Sequence, residues 1–331
     1  MNLQQLEAVC GIARHGYNMT AAAEALGRTQ SALSRQLKEL ESELGVQIFV
    51  RTRNKIVGLA PHGEQVMRVG QRVLKDLKAL AQVAHEDSPE ARGELRIATT
   101  HVHARYMLPA TIKAFTKRYP GTVLTLEQCD PRQCRALIAA GDADVGVITM
   151  SQKPADPIVT IPAYRIPRCV IAPIGHPLSR EPVLTLKKLA EYPLVAYPAT
   201  FSGRIVVEDV FTRAGLTPRI VCSATDADVC KAYVEIGMGV AVLAKMAYDP
   251  VADKGLVAMD AAHLFPSAVL SLVFRKHDYL TRPLESFITL FAPHLRRDVV
   301  HRALRGLEID RARLAQRAPA APGSALRAGA R

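Results

Sequence analysis

The chain is 331 residues long, 49% hydrophobic and 22% charged, with a net charge of +12. That length suits two or three soluble domains, and no apolar run approaches the roughly 20 residues of a membrane span. Six scattered Cys with no C-x-x-C pair point to reduced thiols rather than a disulfide scaffold or a zinc site; MNLQQLEAVC lacks the basic-then-apolar order of a secretory signal, so a cytoplasmic location is expected.

Residues 18–44, NMTAAAEALGRTQSALSRQLKELESEL, predict two short helices joined by a tight turn. Asn18 caps the first, which carries Ala21, Ala22, Ala25 and Leu26 on its apolar side, and Gly27 ends it. Thr29 caps the second, whose apolar stripe is Leu33, Leu37, Leu40 and Leu44. The other face presents Gln30, Ser31, Ser34, Arg35 and Lys38, amides, hydroxyls and cations of the kind that read base edges and grip phosphates. This is the pattern of a helix-turn-helix with the second helix in the major groove. A solvated helical hairpin is the alternative on these residues alone. Gln47–Arg51 then predicts a short strand, Arg53 and Lys55 a polar turn, and Val57–Leu59 a returning strand: a small wing whose Arg51 and Arg53 face the DNA backbone. Arg28 adds to the same cluster of cations.

The run AAEALGRTQSALSRQLKELESELGVQIFVRTRN resembles the LysR-type transcriptional regulators, with Ala22, Ala23, Glu24, Leu26, Gln30, Ala32, Leu33, Ser34, Arg35, Leu40, Glu41, Leu44, Gly45, Phe49 and Arg51 where that family's signature expects them. Ser31 departs from the Pro of many members and is itself a good first-turn residue. The resemblance implies a winged helix-turn-helix over residues 1–60, double-stranded DNA as partner, and no catalytic role. Thr29, Gln30, Ser31, Ser34, Arg35, Lys38, Arg51 and Arg53 are the expected DNA contacts.

After Pro61, Val66, Gly70, Val73, Leu77, Leu80 and Ala84 recur at heptad spacing. A dimerising linker helix over 61–88 is expected, with Gly70 as a point of close approach and Ser88, Pro89 and Gly93 marking its end; a helix packed on its own domain is the alternative. A tetramer, and RNA polymerase as a further partner, are implied by the resemblance only.

From Gly93 strands and helices alternate. Strands are predicted at Leu95–Thr99, Val123–Glu127 and Asp144–Thr149, with helices at Met107–Arg118 and Gln133–Ala140. A second set follows from near Ile158, with strands at Arg168–Pro173, Leu194–Tyr197, Arg219–Cys222 and Val240–Leu243. Its helices are at Leu186–Ala190, Ile205–Arg213, Ala227–Ile236 and Lys245–Tyr248. Ser271–Arg275 and Tyr279–Phe291 then read as a strand and a helix returning to the first half. The fold class is therefore α/β: an N-terminal all-α winged helix-turn-helix, then a two-lobed, periplasmic-binding-protein-like effector domain over 89–305. Lobe I takes about 89–163 and 267–305, and lobe II about 164–266. Residues 306–331 form a basic tail expected to be disordered; from Arg296 onward the chain holds nine Arg against three acids.

In such a fold the ligand sits between the lobes, at strand C-termini and helix N-termini. Thr99, Thr100, His101 and His103 stand at one strand–helix junction, Thr200, Phe201, Ser202 and Gly203 at another, and Thr149 ends a third strand. Ser202 is expected to cap its helix and Gly203 to admit a ligand close to the backbone. Hydroxyls and helix N-termini converging without a buried Lys or Arg suggest a small oxyanion. Each hydroxyl taken singly is equally a plain helix cap.

Here the resemblance narrows. IATTHVHARYMLPATIKAFTKRYPG, AGLTPRIVCSATDADVCKAYVEIGMGVAVLAKMAYDPVAD and FAPHLRRDVV look like the sulfur-metabolism (CysB/Cbl-like) branch of the LysR family, over about residues 1–305. The branch implies a sulfate-sized site at Thr100, Thr149 and Ser202, with Tyr164, Ile166, Thr200, Phe201 and Thr225 around it. His103 and Ile166 stand where enteric members have Gln and Trp, which places their effect on the organic part of an effector. The implied effector is sulfate, thiosulfate or O- or N-acetylserine, and the implied role is control of sulfur assimilation genes. A LysR-type regulator of unrelated catabolic genes, with another small effector, is the alternative. No cofactor is expected. The H-x-H spacing of His101 and His103 has no carboxylate or Cys beside it in sequence, so no metal site is expected either, and no catalytic motif is found.

Overall fold

The computed structural model describes residues 1–53, 55–83, 93–150 and 156–318, in two compact units, 1–87 and 88–331. Among the described residues no helix is long and apolar enough to cross a membrane.

The first unit begins with α1 (Leu3–Arg14), an addition to the sequence expectation. Asn2 and Gln5 close a capping box at its start, and its Leu6, Ala8, Val9, Cys10 and Ile12 are buried. The helix-turn-helix follows as α2 (Met19–Ala25) and α3 (Gln30–Leu44), capped by Asn18 and Thr29. Gly27 and Gly45 have φ of +63° and +67°, a conformation that glycine adopts without strain. Leu33, Leu37 and Leu40 are buried, but Leu44 is exposed: the last turn of α3 runs past the domain's hydrophobic cluster. The wing is β1 (Phe49–Thr52) paired antiparallel with β2 (Lys55–Leu59), with a bulge at Val50/Arg51.

In α4 (Pro61–Val83) the expectation needs correction. Gly70 packs on α1, where a Cβ would lie 3.4 Å from Leu6 Cδ2 and 3.6 Å from Cys10 Sγ. Val66 and Val73 also pack on this domain's core. The first half of the helix is thus held by its own domain, and among its described residues Val69 and Leu80 are the exposed large apolar ones. The predicted linker end at Ala84, Ser88 and Pro89 lies outside the described residues.

The second unit starts with β3 (Glu94–Thr99), α5 (His101–Tyr106), α6 (Pro109–Arg118), β4 (Val123–Gln128), α7 (Pro131–Ala140) and β5 (Val145–Thr149). One helix was expected over 107–118; Pro109, which lacks an N–H to continue a helix, instead opens α6 as a separate element after α5. Next come β6 (Ile158–Ile166), β7 (Arg168–Pro173), α8 (Leu186–Ala190), β8 (Leu194–Ala196), α9 (Ser202–Arg213), β9 (Ile220–Ser223), α10 (Ala227–Glu235), β10 (Ala241–Ala244) and β11 (Leu256–Asp260). The chain closes with β12 (Ala268–Arg275), α11 (Arg282–Phe291), α12 (Arg297–Leu304), α13 (Arg311–Leu314) and β13 (Gln316–Arg317).

Lobe I is a six-stranded sheet in the order β13-β6-β12-β5-β3-β4, in which β12 runs antiparallel to both β5 and β6. Phe115 of α6 meets Phe287 of α11 edge-on, and both are fully buried. Lobe II is the three-stranded sheet β10-β7-β11 with the parallel pair β8-β9, joined through a bridge between Leu194 and Val240. The chain crosses between lobes at Pro167 and returns between Asp260 and Ala268, so Tyr164 and Ile166 belong to lobe I, not to the start of lobe II. β6 is buried at every position but Arg165, which leaves no polar break in the sequence to mark the crossing.

The tail departs from the disorder expected of it up to residue 318. There α13 is followed by β13, which pairs parallel with β6 at Tyr164 and Arg165. Ile309, Leu314 and Ala318 pack on the lobe I core, which supplies the apolar contact that the composition hid. The rest, 319–331, lies outside the described residues.

Candidate functional site

In the first unit, α3 presents Gln30, Ser31, Arg35 and Lys38 to solvent, with Ser34 half-buried among them. The Thr29 hydroxyl accepts the Ala32 N–H at 3.2 Å and lies 3.1 Å from the Ser31 hydroxyl. Arg35 is 78% exposed and only loosely paired with Glu39 at 3.5 Å. Two cations are not free. Arg28 donates to the Gln4 carbonyl and Gln36 and pairs with Glu7, a staple between α1 and α3. Arg51 donates to Glu41 Oε2 at 2.9 Å, while Glu41 Oε1 takes the Ile48 N–H at 2.9 Å, so this pair fixes the wing onto α3. Arg53, at the wing turn with φ of +47°, stays exposed.

In the second unit the lobes enclose a cavity of about 50 Å³, room for a small ion or a few waters. Of the expected residues, Thr100, His103, Thr149, Ile166, Phe201, Ser202 and Thr225 line it. Four do not. The Thr99 hydroxyl donates to the Val147 carbonyl at 2.8 Å inside the sheet. Tyr164 points to the lobe I core, where its hydroxyl donates to the Phe291 carbonyl at 2.7 Å. Thr200 is exposed outside the cavity. His101 pairs across the lobes with Asp226 at 2.7 Å.

The centre of the cavity wall is His103, 3% exposed. Its Nδ1 lies 2.7 Å from the Thr100 hydroxyl and its Nε2 3.2 Å from the Thr149 hydroxyl. Burial pushes the imidazole down to about 3, so it is neutral near pH 7. A neutral ring donates from one nitrogen and accepts at the other. One threonine therefore receives its proton and keeps a hydroxyl hydrogen free for a ligand, while the other gives its hydrogen to the ring. Ser202 is the first residue of α9, not its cap, and its hydroxyl donates to the Thr149 carbonyl at 3.3 Å. That contact ties the second lobe to the end of β5. Neither α5 nor α9 has a side-chain cap, whereas α7 is closed by its Asp130 box. The uncapped amides are donors available to an anion.

One residue overturns an expectation outright. Arg168, the first residue of β7, lines the cavity and is 3% exposed. Its Nε donates to the Pro266 carbonyl at 3.2 Å, and no carboxylate pairs with it among the described residues. The site thus contains a buried guanidinium, contrary to the reading of hydroxyls and helix ends alone. Its mark in the sequence is a lone charge opening the apolar strand RCVIAP. Gly203 is also used differently from expectation: a Cβ there would lie 3.2 Å from Tyr197 Cδ2 and 3.7 Å from Arg168 Nη1, so its bareness makes room for these side chains. Tyr197 stacks on Phe201 with centroids 5.5 Å apart, and Val102, Ala244 and Ala268 supply an apolar side.

Beside the cavity, α5 and α10 are linked by charges. Arg105 pairs with Asp228 at 2.8 Å, and the Tyr106 hydroxyl donates to Asp228 at 2.5 Å. Lys231 contacts Tyr106, Asp228 and Asp253 at 2.9–3.0 Å. His101, Asp226 and Asp228 are close enough to share a cation, but Arg105 and Lys231 already neutralise Asp228, and the group forms a latch between lobes. A larger recess, about 240 Å³, is lined by Asp156, Lys276 and Arg311 and includes none of the expected residues.

A winged helix-turn-helix followed by a two-lobed domain around a small cavity with a few polar groups defines a ligand-responsive DNA-binding regulator. Residues 3–64 match the bacterial regulatory helix-turn-helix protein of the lysR family, and residues 88–296 match the LysR substrate binding domain. This chain belongs to the LysR family of transcriptional regulators; it is a regulator and not an enzyme. It is 43% identical to the HTH-type transcriptional regulator SsuR of Burkholderia cenocepacia over 295 residues, 89% of this chain and 96% of that one. It is 38% identical to CysB of Haemophilus influenzae over 305 residues, 92% and 94% of the two chains. The solved cofactor-binding domain of the Cbl transcriptional regulator superposes with a TM-score of 0.62 at 32% identity, covering 65% of this chain and 95% of that domain.

Proposed function

We propose that this chain is a cytoplasmic, homo-oligomeric regulator of sulfur assimilation genes that responds to a small oxyanion or an acetylserine in the interlobe cavity. The observation that carries the reading is Arg168: a buried guanidinium that, among the described residues, has one carbonyl partner and no carboxylate, facing a cavity of anion size. A buried charge is costly until paired, and a bound anion supplies the pair. The Thr100–His103–Thr149 chain and the uncapped amides of α5 and α9 offer further donors to oxygens that only accept. The likeness to SsuR, CysB and Cbl supports sulfur compounds as the effector class.

Calorimetry of the full chain against sulfate, thiosulfate, O-acetylserine and N-acetylserine tests it. At least one should bind, with the Ser202 hydroxyl turning from the Thr149 carbonyl to the anion, and Ser202→Ala should then weaken that ligand by roughly five- to hundred-fold, the cost of one lost hydrogen bond to a charged group at about 1–3 kcal/mol. Preference for a cationic or aromatic ligand refutes the oxyanion site.

A further inference from the structure

Two thiols flank Pro131, a residue of the pocket lining, in sequence and take no part in the reading above. Cys129 follows β4, and Cys134 sits in the first turns of α7; their sulfurs are 2.7 Å apart. Cys134 is fully buried against Ile138, Ile148 and Val273, while Cys129 is partly open to solvent. The backbone around them is held. The Cys129 N–H donates to the Thr99 carbonyl at 3.0 Å, and the Cys134 N–H to the Asp130 carbonyl at 2.9 Å. The capping box of Asp130 and Gln133 lies between them. The fold thus brings the two sulfurs together.

We propose that Cys129 and Cys134 are a redox-active pair, Cys129 reacting with peroxide and Cys134 resolving the product to a disulfide. The Cys129 thiolate attacks one peroxide oxygen; the S–O bond forms, the O–O bond breaks, and hydroxide leaves. The Cys134 sulfur then attacks the sulfenic sulfur; the S–S bond forms, the S–O bond breaks, and the oxygen departs as water with the Cys134 proton. Two thiols are oxidised and one peroxide is reduced to two waters. The hydrogen bond from Cys134 holds the Cys129 thiol below its usual range, which favours the nucleophile on the exposed member. Burial pushes Cys10 to about 11 and Cys169 and Cys230 to about 12, so these do not compete. Pro131, between the two cysteines in sequence, lines the interlobe cavity, so the new bond would close the short loop that carries a lining residue.

The full chain, reduced and then treated with hydrogen peroxide, gives the test. Thiols titrated after denaturation should fall from six to four and return with dithiothreitol. Trypsin cuts after Arg132, between the cysteines, so residues 119–132 should appear joined to 133–135 without reductant. In Cys134→Ala the reaction should stop at Cys129 sulfenic acid, captured by dimedone on 119–132, whereas the unsubstituted chain should show little adduct. Cys129→Ser should leave Cys134 unreactive. Six thiols surviving peroxide, a linkage through Cys222 instead, or equal dimedone capture with and without Cys134 overturns the proposal.

Discussion

Arg168 Nε donates to the Pro266 carbonyl at 3.2 Å, a bond that joins the outgoing lobe crossing to the returning one. It holds the guanidinium at the hinge, in the lining of the cavity. One residue therefore links the geometry of the crossing strands to the charge in the pocket.

Arg168→Met keeps most of the stem and removes the charge. Sulfate affinity should fall by roughly thirty-fold or more, since truncating one member of a buried charge pair costs about 2–5 kcal/mol. The unliganded melting temperature should hold or rise, because an unpaired buried charge is lost. Calorimetry and thermal melts of the same samples separate the two effects. A variant that binds sulfate normally would remove Arg168 from the site.

His103 predicts a pH dependence of stability. The unfolded imidazole takes a proton below about 6.5, whereas the folded one stays neutral down to about 3. Within that window the unfolded state binds more protons, so stability should fall as pH drops, by up to about 1.4 kcal/mol per unit. His103→Gln retains a donor and an acceptor for Thr100 and Thr149 but cannot titrate. Urea melts at several pH values should show a shallower slope in the variant than in the parent chain.

In the DNA-binding unit the three side chains should separate by role. Gln30→Ala should flatten operator preference, a base contact being worth about 1–3 kcal/mol of discrimination. Arg53→Ala should weaken operator and random DNA alike and lower the salt slope by about one. Arg51→Ala should affect DNA less than Arg53→Ala, because Arg51 already pairs with Glu41. Anisotropy titrations across a salt series decide, and equal losses for Arg51 and Arg53 would count against the pairing's role.

On α4, Leu80→Glu and Gly70→Val should act differently. Leu80 is 66% exposed, so its charge should disturb only assembly, read by sedimentation. Gly70 abuts Leu6 and Cys10, so Val there should lower the melting temperature of the domain. Unchanged sedimentation of Leu80→Glu would place self-association elsewhere.

The sequence alone determined the helix-turn-helix, the wing, most strands and helices of the two lobes, and five residues of the pocket placed at strand–helix junctions or one beyond, Thr100, His103, Thr149, Phe201 and Ser202. These follow from local chemistry: caps, glycine stops and hydrophobic period are written in neighbouring residues. Only the tertiary structure decided which groups face each other. Gly70 fits a heptad equally well whether it meets α1 or another chain. Thr99 and Thr100 are neighbours, yet the sheet takes one and the pocket the other. Arg28 and Arg51 look like their exposed neighbours until Glu7 and Glu41 pair with them. Arg168 looked like an ordinary strand start, and the return of the chain past Pro266 placed it in the pocket. Burial and pairing are set by contacts between segments distant in the chain, and no local pattern encodes them.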